Sequence, residues 1–153
     1  MALPNFAHQY EAGDAWLAEC CPYPDLVHTT WESEALAPIA SDTRWLAAEA
    51  QLATRYDALA RIPVELRGPV LADLVQDKMW WLVPLSAAGE LAGVRQLRVQ
   101  PPGWSLHCPP TGWHLDGRTW LTRPDGSGQL TDAAALAAAL GPGGYRRLPA
   151  EAS

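Results

Sequence analysis

Residues 111–122, TGWHLDGRTWLT, constrain the fold more than any other stretch. Asp116-Gly117 stands between two β-prone runs, and this dipeptide is the preferred composition of a two-residue type I′ hairpin, whose twist matches that of the flanking strands. Such a turn fixes a register: Leu115 opposite Arg118, His114 opposite Thr119, and Trp113 opposite Trp120. A cross-strand Trp–Trp pair contributes about 0.2–1 kcal/mol beyond Ala–Ala. His114 is then expected on the opposite face from both indoles.

Period-two patterning extends this strand region on both sides. Residues 80–85 (WWLVPL) and 94–100 (VRQLRVQ) are expected as strands. Arg123-Pro124-Asp125-Gly126 is a second turn, with Pro setting φ and Gly accepting a positive one. Thr131 is expected to cap a short Ala-rich helix over 132–140 that Gly141 and Pro142 end, and 145–148 (YRRL) to return as an edge strand. The Gly-Trp steps at Gly103-Trp104 and Gly112-Trp113 look like the same strand-entry device used twice.

Upstream the spacing is helical. Residues 8–20 place Tyr10, Gly13, Trp16, Leu17 and the Cys20/Cys21 pair on one side, although Gly13 weakens a helix by up to about 1 kcal/mol relative to Ala. After Pro22 and Pro24, a short helix is expected from Asp25 to about Leu36. The firmest helical pattern covers 42–60, where Trp45, Ala48, Leu52, Tyr56 and Leu59 form one apolar stripe behind a Ser41 or Asp42 cap. Pro63 is expected to open a further helical stretch to about Trp80 through Val64, Leu66, Val70, Leu71, Leu74 and Val75, with Pro69 kinking it. The expected class is therefore α+β: N-terminal helices packed on a C-terminal antiparallel sheet with one late helix. No linker divides the chain, so residues 1–153 are expected as a single domain, helical over 8–81 and strand-rich over 80–148, with loose tails at 1–6 and 149–153.

A chain of 153 residues, 48% of them hydrophobic, is long and apolar enough to bury a core without disulfides. Its charge is unevenly placed. Residues 1–77 hold twelve acids against four Arg, about −8, and residues 78–153 hold five acids against seven bases, about +2, which sum to the net −6. The first seven acids (Glu11, Asp14, Glu19, Asp25, Glu32, Glu34, Asp42) precede any Lys or Arg, the first being Arg44. A one-sign field of this kind acts on partners and solubility, not on fold. Neutralising phosphates needs clustered cations, so direct nucleic-acid binding is not expected from a pI near 5.1 and one Lys. The N-terminal MALPNFAHQYEAGDAW lacks the basic and apolar regions of a secretory signal, and no apolar run reaches the ~18 residues of a membrane span. Three cysteines, two of them adjacent, read as reduced thiols of a cytoplasmic protein, and the Ala-, Leu-, Pro- and Gly-rich, Lys-poor composition suits a bacterial source.

No motif that carries chemistry emerges. His107-Cys108 with His114, and Cys20-Cys21 with His28, lack the paired spacing of a tetrahedral metal site, so neither metal nor cofactor is expected. Cys20 and Cys21 lie among acids at a helix C-terminus, which disfavours the thiolate, and Cys108 has no base that can be named for it. Gly141-Pro142-Gly143-Gly144 follows a helix, whereas a phosphate loop precedes one. The eight tryptophans suit cores, ligand pockets and interface anchors alike.

Two functional readings remain. The favoured one is a small non-catalytic protein–protein interaction module, such as an adaptor, an inhibitor or an antitoxin- or immunity-like antagonist. Its acidic N-terminal surface (Glu11, Asp14, Glu19, Asp25, Glu32, Glu34), with Trp31 as an anchor, would engage a basic partner. The alternative is a small-molecule-binding protein or enzyme. Its pocket would be lined by Trp104, Trp113 and Trp120, with His107, Cys108 and His114 at the mouth.

Overall fold

The computed structural model describes residues 3–41 and 43–140, with side chains from Tyr10 onward. Two helices open the chain, α1 (Leu3–Glu19) and α2 (Pro24–Glu32), followed by strands β1 (Ala37–Ser41) and β2 (Leu46–Gln51). Two single-turn helices, α3 (Leu52–Arg55) and α4 (Ala58–Arg61), and a 3-10 turn at Val64–Leu66 lead to β3 (Val70–Asp73) and β4 (Lys78–Val83). Then come α5 (Ala87–Leu91), β5 (Arg98–Val99), β6 (Trp104–Cys108), β7 (Arg118–Thr122) and α6 (Ala133–Leu140). The α+β class holds. Five strands pair antiparallel in the order β5-β2-β4-β3-β7, while β1 and β6 form a separate antiparallel ribbon.

Both faces of the five-stranded sheet are covered. Along β4, Met79, Trp81 and Val83 point into one apolar cluster, with Leu46, Ala48 and Ala50 of β2, beneath residues of α4, α5 and α6. Trp80 and Leu82 point the other way, into a second cluster with Trp45, Ala47, Leu71 and Trp120, roofed by the β1–β6 ribbon and by Leu17, Val27 and Trp31 of α1 and α2.

This double burial explains the main departures from the sequence expectations. The helix expected over 42–60 is instead β2 followed by two short helical turns, with Trp45 and Ala48 in different clusters. A strand buried on both faces shows no polar alternation. The Leu46–Ala50 run is also rich in Ala, the best helix former, so local propensity and final structure disagree until the sheet partners are present. The helix expected over 63–80 is a β3–β4 hairpin. Its turn is closed by Asp73, whose Oδ1 accepts the N–H groups of Val75 (2.9 Å) and Gln76 (2.8 Å). The exposed Leu74 and Val75 in that turn had supplied the false helical period. Strand β1 was hidden by Pro38, which fits because this edge strand needs no donor there. The strand expected over 94–100 shortens to Arg98–Val99.

Other expectations hold in part. Helices are present over most of 8–20 and 25–36, α1 starts inside the tail expected to be loose at 1–6, and strand β4 spans most of 80–85. Asp116 (φ 52°) and Gly117 (φ 80°) take the two positive-φ positions of the expected turn, and Leu115 and Arg118 exchange both backbone hydrogen bonds. The hairpin then stops. Beyond Arg118 the strand pairs with β3, Leu71 facing Trp120, so the Trp113–Trp120 pair does not form. For α6 the cap is Asp132, whose Oδ2 accepts from Ala135 N at 2.9 Å, and Thr131 instead accepts from Gly68 N. The expected strand at 145–148, the Gly141 stop and the tail at 149–153 lie outside the described residues.

Gly13 explains itself in the fold. A Cβ there would run into the carbonyl oxygen of Pro124 and lie 2.8 Å from Thr111 Oγ1. Without a side chain, α1 settles directly on the 109–126 loops, and Asp14 Oδ1 accepts from Thr111 N at 2.6 Å beside it.

Candidate functional site

The acidic head is built by the α1–α2 corner. After α1 ends, Pro22-Tyr23-Pro24 forces the chain to turn, with Pro24 in the first turn of α2 where its missing N–H is harmless. Val27 and Trp31, four apart, point into the core. Leu26 and Thr30 flank them, while Asp25, His28, Thr29 and Glu32 face solvent. The result is a groove of about 310 Å³ between α2 and β1, lined by Cys21, Tyr23, Leu26, Val27, Thr30 and Pro38 among others. Tyr23 is 69% exposed and Leu26 is 62% exposed at this groove. Cys21 Sγ donates to the Pro38 carbonyl at 3.7 Å across its floor.

Glu19, Asp25, Glu32 and Glu34 are all exposed, as is Glu11 further up α1. Glu34 holds a left-handed conformation, φ 60°, at the end of α2. Glu34 N bonds to Trp31 O and Ala35 N to Thr30 O, the closing pattern at which glycine is usual. A charged residue therefore occupies a position where it carries backbone strain of about 1–2 kcal/mol.

Asp14 is half-buried and spent on Thr111 N. Trp31 is only 4% exposed and its Nε1 donates to Cys108 O at 2.9 Å. The indole expected at the interface is thus a core residue that ties α2 to β6, because its helical spacing with Val27 aims it inward. Tyr23 and Leu26 are the large apolar side chains left exposed at this corner. The sequence signal for them was the Pro-Tyr-Pro turn followed by an apolar residue outside the Val27/Trp31 stripe.

The residues of the alternative pocket divide. Trp104 packs against Trp80 with ring centroids 6.2 Å apart and planes tilted by 38°. Trp120 is buried and its Nε1 donates to Pro109 O at 3.1 Å. Cys108 is fully buried and its thiol pKa is pushed far up by burial, so it is unsuited to act as a nucleophile. His107 lies on the outer side of β6, exposed, and His114 and Trp113 are exposed in the loop that follows it, Trp113 at 47%. Strand alternation sends His107 and Cys108 to opposite faces. All three cysteines are free, and burial raises the thiol pKa values of Cys20 and Cys21 as well. Among the described residues no group of three His, Cys, Asp or Glu is arranged to hold a metal ion, and no helix is long and apolar enough to cross a membrane.

On the same side of the sheet lies a polar array that sequence reasoning missed. Arg98, Glu49, Trp80, Leu71 and Trp120 form one cross-strand row, and Gln51, Lys78, Asp73 and Arg118 the next. Arg118 Nε bonds Asp73 Oδ2 at 2.9 Å, its Nη1 bonds His107 O at 2.7 Å, and its guanidinium sits 4.6 Å above the Trp80 ring. Burial alone would raise the Asp73 pKa. The Gln76 and Val75 N–H groups and Arg118 outweigh it and hold the carboxyl below the ordinary Asp value. Glu49 Oε1 accepts from Trp80 Nε1 (2.9 Å) and Gln100 Nε2 (3.0 Å), with Lys78 Nζ 3.7 Å from its other oxygen. The strand register brings these charges together, and a helical pattern over 42–60 and 63–80 conceals it.

The chain matches no protein-family model, no curated protein and no solved structure.

Proposed function

We propose that the chain is a small non-catalytic interaction protein of the cytoplasm that holds a basic partner at its α1–α2 corner. One observation supports this reading above the others. An apolar groove, with Tyr23 and Leu26 exposed beside it, lies within the stretch before Arg44 that carries no Lys or Arg. Apolar anchors seated in a groove supply affinity, and the carboxylates around them supply on-rate and selectivity for a cationic partner. The occupant is a protein segment that places an apolar side chain in the groove and Lys or Arg against Glu19, Asp25, Glu32 and Glu34. An adaptor, an inhibitor or an antagonist of a basic enzyme would each use such a contact.

The test is affinity capture from the host lysate at low salt and at ~0.5 M salt, where exposed charges are screened within a few ångströms. Capture is repeated with Leu26→Asp and with the charge-neutralised Glu32→Gln/Glu34→Gln protein. The expected result is one basic protein retained by the wild type at low salt and lost in each of the other three conditions. An identical capture profile for wild type and both variants, or no retained protein at low salt, overturns the proposal.

A further inference from the structure

Away from the acidic head, the geometry points to a binding site for a small oxyanion in the cleft between the β2–β4 end and the segment leading into β5. The inference is independent of the proposed protein contact. The cleft has a volume of about 380 Å³, and Lys78, Arg95 and Arg98 line it together with Glu49, Asp77 and Gln96. In a chain of net charge −6, three of the eleven Lys and Arg residues meet at this one cleft.

The two acids of the cleft are already engaged. Asp77 takes Gln51 Nε2 at 2.9 Å on one oxygen and Ala53 N at 2.8 Å on the other. Glu49 holds Trp80, Gln100 and Lys78. The Arg95 and Arg98 guanidinium groups have no hydrogen-bond or ion-pair partner among the described residues, although Arg98 stands opposite Glu49 in the strand register. A guanidinium offers a planar fork of donors that matches phosphate or carboxylate oxygens two at a time. The ligand chemistry that fits is therefore a small phosphate or carboxylate held by the two guanidinium groups.

The experiment titrates the full chain with inorganic phosphate, glycerol 3-phosphate and malate, following Trp fluorescence and calorimetry. The Trp80 indole reports because it bonds Glu49 in the cleft wall. Saturable binding of at least one probe in the millimolar range is expected. Glycerol 3-phosphate ahead of malate would identify a phosphate ligand, and the reverse order a carboxylate. Arg95→Ala and Arg98→Ala should each weaken binding about tenfold, the single-interaction scale of 1.4 kcal/mol. Both arginines are exposed, so these variants should fold as the wild type does, which circular dichroism checks. No saturation by any probe to ~50 mM, or equal binding by the arginine variants, overturns the inference.

Discussion

The two faces of the central sheet solve the same burial problem in different ways. On the face beneath α4, α5 and α6, the covering residues are mainly Ala and Leu, and the cluster is apolar throughout. Its one indole, Trp81, is fully buried with no acceptor for its N–H. On the other face, four buried indoles each have a partner: Trp31 with Cys108 O, Trp45 with Cys20 Sγ, Trp80 with Glu49 and Trp120 with Pro109 O. The first face can be assembled from small side chains at close approach. The second uses tryptophan as a two-ended residue, apolar ring inward and N–H toward a fixed acceptor, and so its indoles stay paired where the face grades into a charged row.

The largest expected effect breaks the polar row of the second face. Arg118→Met should destabilise the fold by about 3–5 kcal/mol in urea unfolding, because it leaves the Asp73 carboxylate buried without its cation. Asp73 and Arg118 side chains are only 4% and 11% exposed. A cost below ~1 kcal/mol would show that the pair is a solvated contact.

Gly13→Ala comes next. The substitution gains helix propensity, yet its Cβ meets the Pro124 carbonyl, so thermal unfolding should show a loss of about 1–3 kcal/mol. A stabilised variant would mean that α1 stands further from the second face than described.

The pH dependence follows from the same row. Because the folded Asp73 pKa lies below its unfolded value, the unfolded state binds the proton first as pH falls. Stability from this group is fully present above about pH 3.9 and is lost below it, toward the lower folded pKa. Acid titration of stability should be less steep in Asp73→Asn than in wild type over that range, and equal slopes would remove Asp73 from the account.

The smallest effect concerns the head. Glu34→Gly should stabilise the protein by up to about 1 kcal/mol by relieving the positive φ, while weakening capture of a basic partner. Unchanged capture would leave Glu34 outside the contact.

What the sequence revealed depended on how local the cause was. Asp116-Gly117 announced its turn because two adjacent residues determine it. The α2 helix and the late Ala-rich helix were legible from proline placement and composition. Strands β2 and β3 were not, since Ala47, Ala48 and Ala50 take their state from partners more than twenty residues away. The polar row was invisible for the same reason: Glu49, Asp73, Lys78 and Arg118 are ordinary charges until the register aligns them. The acidic residues of the head were legible as charge, but the exposure of Tyr23 and Leu26 was not, because it follows from how α2 turns Val27 and Trp31 into the core.

The most direct measurement compares Trp80→Phe with Trp81→Phe by equilibrium urea unfolding. The two residues are adjacent on β4 and lose the same ring volume, but only Trp80 loses a hydrogen bond and leaves Glu49 short of a donor, while Trp81→Phe removes a buried N–H that had no acceptor. The predicted result is a cost for Trp80→Phe about 1–3 kcal/mol larger than for Trp81→Phe. Equal costs, or a larger cost for Trp81→Phe, would contradict the two-faced sheet on which the rest depends.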